Sequence, residues 1–550
     1  MNLKHLRLIS DFNINPLAGC LRNTGAFEDW VIETTPYGQV HQQLSQISES
    51  WVDLLWTMPE RILPSFYRAF QLEEISHDVI LAEVDDFADY VIGSLQDRYV
   101  FIASWVLPTG YRGHGMIDWQ NGFGLSNLVA RCNLRLAEKL ADQKNIFVLD
   151  TQQWLQGISR PFTAKMWYAA KVPYHVDVFS AAAAQIQHCI LGIQGKSRRL
   201  IVLDLDNTLW GGVVGENGWQ GVRLGGHDHI GEAFKDFQLA LKALSNRGIQ
   251  LALASKNDEN VALEAIENHP EMLLRRSDFA GWRINWNDKA ANIIDLIDEL
   301  NLGLESVIFI DDNPVERMRV AESVPEILVP DWPKDPTSYV SALRSLICFE
   351  VPSVSFEDRG RTAMYVAERS RREEKYTLGG TEEWLRKLGT TVTMTSVNSS
   401  NLSRVTQLFN KTNQLNLSTR RLSEKEVVDW GNLENRSMKA ISVSDQFGDL
   451  GLVGIISVEA HGDDGHLVDF ILSCRVMGRR VEELLFHLAV GELSKLGAKT
   501  MNITYVPTER NRPTLEVLES SNLQNVDLHN YKIDIALGYD KPSSLMLIEI

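Results

Sequence analysis

Four short polar signals, each closing an apolar run or opening a helix-like one, succeed one another in the middle of this sequence and leave few folds open to it. The run 200–203 closes in Asp204-Leu-Asp206-Asn-Thr208, and the run 250–254 closes in Ser255 and Lys256. Lys289 opens an amphipathic stretch, 289–301, after the turn Trp286-Asn-Asp, and the run 306–310 closes in Asp311-Asp312-Asn-Pro. Apolar runs of this length alternating with amphipathic stretches (230–247, 289–301) describe a parallel α/β sheet. Ligands of such sheets bind beyond the carboxyl ends of the strands. A lone Asp-x-Asp is weak, since surface loops are full of them; four signals in order at strand ends are strong.

The residue types suit phosphoryl transfer. Asp204 is placed to attack phosphorus and carry an aspartyl phosphate, while Asp206 protonates the leaving oxygen and later activates water. Thr208, Ser255, Lys256 and Lys289 are expected to bind phosphate, the lysine charge of Lys289 neutralising the phosphorylated intermediate. Anions this close repel one another, so a hard cation is needed, and Mg²⁺ held by Asp204, Asp206, Asp311 and Asp312 fits oxygen ligands.

The rest of the chain bounds the setting. At 550 residues it exceeds one ordinary core. Hydrophobic content of 44% with 23% charged residues is that of a globular protein. A formal net charge of −18 argues against nucleic-acid binding, which needs a basic surface. The start lacks the apolar core of a secretory signal and no uninterrupted apolar run approaches a bilayer span, so no membrane association is expected. Five cysteines without CxxC spacing fit a reducing, cytoplasmic location. Four segments are expected: 1–195, α/β; 196–350, the phosphate-handling domain; 351–380, a charged helical connector; and 381–550, a compact α+β domain with strands near 452–458, 466–472 and 500–505 and a helix over 480–496.

The four motifs resemble those of the haloacid-dehalogenase (HAD) superfamily, a Rossmannoid parallel-sheet fold. The short chain between Asp206 and Ser255 leaves room for only a minimal cap, which suits a bulky or protein-tethered substrate. The longer string 203–218, Leu-Asp-Leu-Asp-Asn-Thr-Leu-Trp-Gly-Gly-Val-Val-Gly-Glu-Asn-Gly, is similar to the FkbH-like subfamily. So are Ala170-Lys-Val-Pro-Tyr174, Lys411-Thr-Asn-Gln-Leu-Asn416, Phe447-Gly-Asp-Leu-Gly451 and Ser473-Cys-Arg-Val-Met-Gly-Arg479. The family has a proline before the motif lysine; Asp288 stands here. This resemblance implies transfer of a glyceryl unit from 1,3-bisphosphoglycerate to the phosphopantetheine thiol of an acyl carrier protein, with dephosphorylation, for polyketide or related biosynthesis. It also implies an SGNH-hydrolase-like N-terminal domain and a C-terminal domain of the GNAT acyltransferase type.

In the C-terminal segment, Arg475-Val-Met-Gly478 before a helix is similar to the GNAT phosphate-binding turn, with Arg480 where a small residue is expected. Cys474 has two readings. One is a nucleophile that holds the acyl group, its thiolate favoured by Arg475, Arg479 and a helix start; the other is a buried structural cysteine. Asn413, Asn416, Asp445 and Arg420 either join that site with Arg475, Gly478 and Arg479, or serve as caps and turns. The N-terminal segment has no Gly-Asp-Ser string; Ser10-Asp11 and His175 are the nearest candidates for a Ser/His pair, and a carrier-docking scaffold is the expectation. Two other functions stay open: a phosphatase fused to an acetyl-coenzyme A-dependent acetyltransferase, and a non-catalytic docking scaffold.

Overall fold

The computed structural model describes all residues except 1–3, 26, 47–49, 95–97, 109, 112, 227, 301, 355–360, 379–380, 509 and 550. The side chains of 361, 363, 370, 372–373, 375–378, 381, 411 and 474 also lie outside the described set. The chain forms two compact units. One contains Met1–Gly212, Arg223–Ala240 and Leu302–Ser355; the other contains Val213–Val222, Leu241–Asn301 and Phe356–Ile550.

The first unit is built on five parallel strands: β1 (Lys4–Ser10), β2 (Trp30–Thr34), β3 (Val52–Trp56), β4 (Tyr99–Ala103) and β5 (Ile146–Leu149), in the order β2-β1-β3-β4-β5. Parallel strands covered on both faces read as continuous apolar runs, and alternate residues here feed two separate cores. Leu54, Trp56, Phe101 and Ala103 enter one, while Leu55, Val100 and Ile102 enter the other. The helix Val176–Ile193 is apolar and long enough to cross a membrane by composition. Its Val178, Phe179, Ala182 and Ile186 are fully buried in the first of those cores, which accounts for its apolarity.

The same unit holds a parallel strand pair from the phosphate-handling segment. Strand β6 (Leu200–Leu203) pairs with β9 (Val307–Ile310), in register Leu200 with Val307 and Leu203 with Ile310. The apolar run at 327–329 is only a single bridge, Leu328 beside Ile308.

The second unit contains another parallel pair, β7 (Gln250–Ser255) with β8 (Phe279–Ile284), Ser255 opposite Ile284. It also contains a nine-stranded mixed sheet. Its strands are β10 (Thr391–Ser396), β11 (Leu415–Asn416), β12 (Arg436–Asp445), β13 (Gly448–His461), β14 (Asp464–Leu472), β15 (Thr500–Thr504), β16 (Gln524–Asn525), β17 (Asn530–Asp534) and β18 (Met546–Glu549). The order is β16-β17-β15-β14-β13-β12-β10-β18, with β11 beside β14. The helix Val481–Lys495 packs Val481, Leu484, Leu485, Leu488 and Leu493 into the sheet's core.

One buried charge cluster fixes the first sheet. The β1–β3 register sets Arg7 opposite Asp53, and Arg7 donates from Nε (3.0 Å) and Nη2 (2.6 Å) to the Asp53 carboxylate. Arg98 Nε lies 3.0 Å from the same carboxylate, and Ser50 donates to it at 2.7 Å. Asp53 is completely buried. Removing one member of such a cluster strands the others, at a cost of about 3–5 kcal/mol. Asp53→Ala is therefore expected to lower unfolding free energy by about that amount in urea titrations, well beyond the effect of an exposed Asp→Ala substitution.

Candidate active site

In the first unit, Asp204 directly follows β6 and its N–H donates to Ile310 O at 3.0 Å, extending the β6–β9 ladder by one step. That step carries Asp204 and Asp311 off the ends of neighbouring parallel strands, and Asp312 follows. One carboxylate oxygen from each of Asp204, Asp311 and Asp312 lies within 4.8 Å of the other two. Asp204 and Asp311 are buried, Asp312 half-buried. Three hard oxygens this close, largely withdrawn from water, can hold a divalent cation.

The loops are held from behind. Arg317 donates from Nη1 to the carbonyls of Asp311 (2.8 Å) and Asp312 (2.9 Å), and Asp311 Oδ1 accepts from Asn313 N at 2.8 Å. The Thr208 hydroxyl is buried and accepts from Asp312 N at 3.2 Å, tying the two strand-end loops together. Asp206 is outside the three-carboxylate cluster; its Oδ1 accepts from Trp210 Nε1 at 2.9 Å. Between them Asn207 takes a left-handed backbone (φ 54°), which asparagine tolerates, and its carbonyl accepts from Tyr339 OH at 2.9 Å. Burial, with Asp312 and Asp311 nearby, pushes the Tyr339 phenol up to about 12. It therefore remains a donor at any ordinary pH. Trp210, Arg317 and Tyr339 were not singled out from sequence. Trp210 lies inside the 203–218 string; the other two carry no local signal, because their contacts are to backbone.

In the second unit, Ser255 ends β7 with its side chain buried, and its Oγ accepts from Asn257 Nδ2 at 3.2 Å. Lys256 is half-buried. Lys289 is 4% exposed at the start of the helix Lys289–Leu300. Asp288 caps that helix: its Oδ1 accepts from Ala291 N at 3.2 Å. Asn285 N donates to Ser255 O at 3.1 Å, and Asn285 and Asn292 exchange amide hydrogen bonds at 2.8 and 3.3 Å. The turn that presents Lys289 is thus anchored to the strand end that presents Ser255.

Also in the second unit, residues 474–476 form the single turn Cys474–Val476 before the helix Val481–Lys495, and the Cys474 side chain lies outside the described residues. Gly478 N donates to Glu482 Oε1 at 2.7 Å, so the backbone turn read as an anion site already binds a carboxylate of its own helix. Arg480 occupies a left-handed position (φ 62°) and pairs with Glu483 at 2.9 Å and Glu382 at 3.1 Å. Arg479 is 2% exposed, bonded to Asp445 (3.1 Å) and Glu368 (2.8 Å); Arg371 grips the same Asp445 at 2.7 and 2.8 Å. Arg475 points Nη1 at the sulfur of Met364, 3.5 Å away. Asn416 is fully buried, its Oδ1 accepting from Thr419 N (2.9 Å) and its Nδ2 donating to Thr412 O (3.1 Å), which is turn-fixing work. Asn413 Oδ1 accepts from Arg421 at 2.6 Å, and Arg420 pairs with buried Asp469.

The Ser/His candidates of the first unit do not form a pair of the nucleophile–base kind. Ser10 Oγ accepts from Phe12 N at 3.1 Å, and His175 caps its own helix, accepting from Asp177 N at 3.4 Å. Asp11 is the perturbed group: burial pushes its carboxyl from 3.8 up to about 7, although Met58 N donates to it at 2.9 Å.

No family model matches the chain, and no curated protein matches it. Among solved structures it resembles the N-terminal part of a Bacteroides fragilis protein that contains a phosphatase domain complexed with Mg. The identity is 29% and the TM-score 0.58, over 64% of this chain and 94% of that one. A domain from Methanocaldococcus jannaschii matches 26% of this chain and 99% of its own length, at 15% identity and a TM-score of 0.22. Spermidine N-acetyltransferase from Vibrio cholerae matches 26% and 96%, at 12% identity and a TM-score of 0.21.

The Asp11 shift carries a sign. A carboxyl whose folded value exceeds its unfolded one holds extra protons in the folded state, so stability falls as pH rises from about 4 to about 7. Asp11→Asn is expected to gain about 1 kcal/mol or more over wild type at pH 8 and little at pH 4, read from urea unfolding at both values.

Proposed function

We propose that this chain is a Mg²⁺-dependent phosphatase of the HAD type coupled to acyl transfer. In that reading it loads a glyceryl unit from 1,3-bisphosphoglycerate onto the phosphopantetheine thiol of an acyl carrier protein, with loss of phosphate. The convergence of Asp204, Asp311 and Asp312 at the ends of β6 and β9 carries the first half, supported by the likeness to a phosphatase domain complexed with Mg. The glyceryl and carrier-protein half rests on the resemblance of the sequence strings to the FkbH-like subfamily.

The three carboxylates would hold Mg²⁺, which when bound offsets the charge of the phosphoryl oxygens. Asp204 attacks phosphorus and takes the phosphoryl group, and Asp206, oriented by the Trp210 indole, gives a proton to the departing oxygen. Asp206 then removes a proton from the water that cleaves the aspartyl phosphate. Ser255 and Lys289, in the second unit, keep the phosphate-binding role that their sequence motifs imply. In the acyl step, the Cys474 thiolate attacks the acyl carbon and expels the acyl phosphate as inorganic phosphate. The carrier thiol then displaces Cys474 from the thioester.

The Gly478 turn bears on the rival reading, an acetyl-coenzyme A acetyltransferase. A helix start that receives a pyrophosphate needs its N–H groups for the anion, and here Glu482 already takes the Gly478 N–H. That arrangement favours a partner whose thiol is brought by a carrier protein.

The deciding experiment is intact-protein mass spectrometry after incubation with 1,3-bisphosphoglycerate, Mg²⁺ and phosphopantetheinylated carrier protein. Wild type is expected to place a glyceryl adduct on the carrier, Asp204→Asn a phosphoglyceryl adduct, and Cys474→Ala none. Phosphate release by wild type without any carrier adduct would overturn the coupled reading and leave a phosphatase.

A further inference from the structure

The second unit contains a cavity of about 330 Å³ against β8, lined by Arg276, Arg283, Arg369, Trp282, Glu259 and Glu299 among others. In a chain of net charge −18, three arginines converging on one small cavity go against the overall balance. Within a Debye length of about 8 Å local charge outweighs distant charge, so the cavity's own groups decide what it attracts.

Its walls are assembled around the Trp282 ring. The guanidinium carbons of Arg276 and Arg369 stand 4.8 and 3.6 Å from the ring centroid. A guanidinium over an indole ring is attracted by the ring's negative face, and Arg276 also lies 4.0 Å from Glu267. The Trp282 indole is fixed in turn, donating from Nε1 to Glu259 Oε1 at 2.8 Å. Glu299 is engaged at 2.8 Å by Arg283, whose Nη1 also donates to Trp282 O at 3.1 Å. Both carboxylates of the cavity are therefore committed to holding its framework.

Gly281 allows the close approach. A Cβ there would meet Leu296 at 2.6 Å and Arg369 Nη2 at 3.0 Å. Arg369 comes from the helix Arg361–Leu378, so a residue distant in sequence completes the cavity.

From this convergence of two guanidiniums over one indole ring and a third braced one, we propose that the cavity binds a compact phosphorylated small molecule. The volume is at the lower end of small-ligand sites, roughly 300–1,000 Å³, and planar guanidiniums recognise phosphate oxygens in pairs. The proposal stands apart from the phosphatase reading, because none of the aspartates of that cluster lines this cavity.

The test is isothermal titration calorimetry of the full chain with pyrophosphate, at low salt and in EDTA, where the aspartate cluster has no cation with which to hold an anion. Wild type is expected to bind one equivalent, more weakly as salt rises. Arg276→Ala and Arg369→Ala should each weaken binding about tenfold, the loss of one charge-assisted partner. Asp204→Asn should bind as wild type does. The Arg276 side chain is 46% exposed, and circular dichroism checks the fold of both Arg276→Ala and Arg369→Ala. Absence of binding by wild type, or binding that disappears in Asp204→Asn and survives Arg276→Ala, would overturn the proposal.

Discussion

Mutual repulsion of Asp204, Asp311 and Asp312 is the constraint on which the chemistry of the first unit turns. At 4.8 Å, two like charges in a medium of effective dielectric constant near 20 repel by about 3 kcal/mol, and three pairs do so here. No flexible loop would hold them together. Rigid ladder pairing does: β6 and β9 are fully buried, the register continues to Asp204, and Arg317 and Thr208 fix the loops through backbone groups. The stability of the strands is used to concentrate negative charge, and oxygen ligands gathered in this way suit a hard cation.

The same use of rigid elements to confine charge recurs where no chemistry is expected. Asp53 between Arg7 and Arg98, and Asp445 between Arg371 and Arg479, are buried clusters in which one carboxylate serves two guanidiniums. Such clusters add little net stability over well-packed apolar residues, but they punish misregistration, since a one-residue slip would leave buried charges alone. In β1 and β3, whose apolar runs would pair in several registers, that penalty specifies one of them.

Much of this was legible in the sequence, and the failures have physical causes. The four polar signals stood at strand ends because apolar runs announced the strands, and the helices over 230–247 and 289–301 follow from period alone. Strand β3 carries Asp53 inside its apolar run, and only the structure reveals the arginines that make an aspartate tolerable there. The run at 327–329 reads as a strand but makes a single bridge, since local pattern cannot show where a partner ends. Trp210, Arg317 and Tyr339 support the site through hydrogen bonds to backbone or to one side chain, and such contacts have no sequence period to reveal them.

Glu482 shows how a motif can be present in sequence and altered in chemistry. The Arg475–Gly478 turn before a helix has the outline of an anion site, because helix starts present unsatisfied N–H groups and a partial positive charge. In this chain the first turn supplies its own anions. Glu482 caps Gly478 from a buried position, and Glu483 pairs with Arg480, which holds a left-handed backbone at the entry to the helix. Burial raises the pKa of Glu482, and the backbone N–H groups of Glu482 and Gly478, with neighbouring Arg479, offset part of that rise. A ligand phosphate would have to displace a tethered carboxylate that is always within reach. The turn is therefore better suited to stabilising the helix than to gripping a free pyrophosphate.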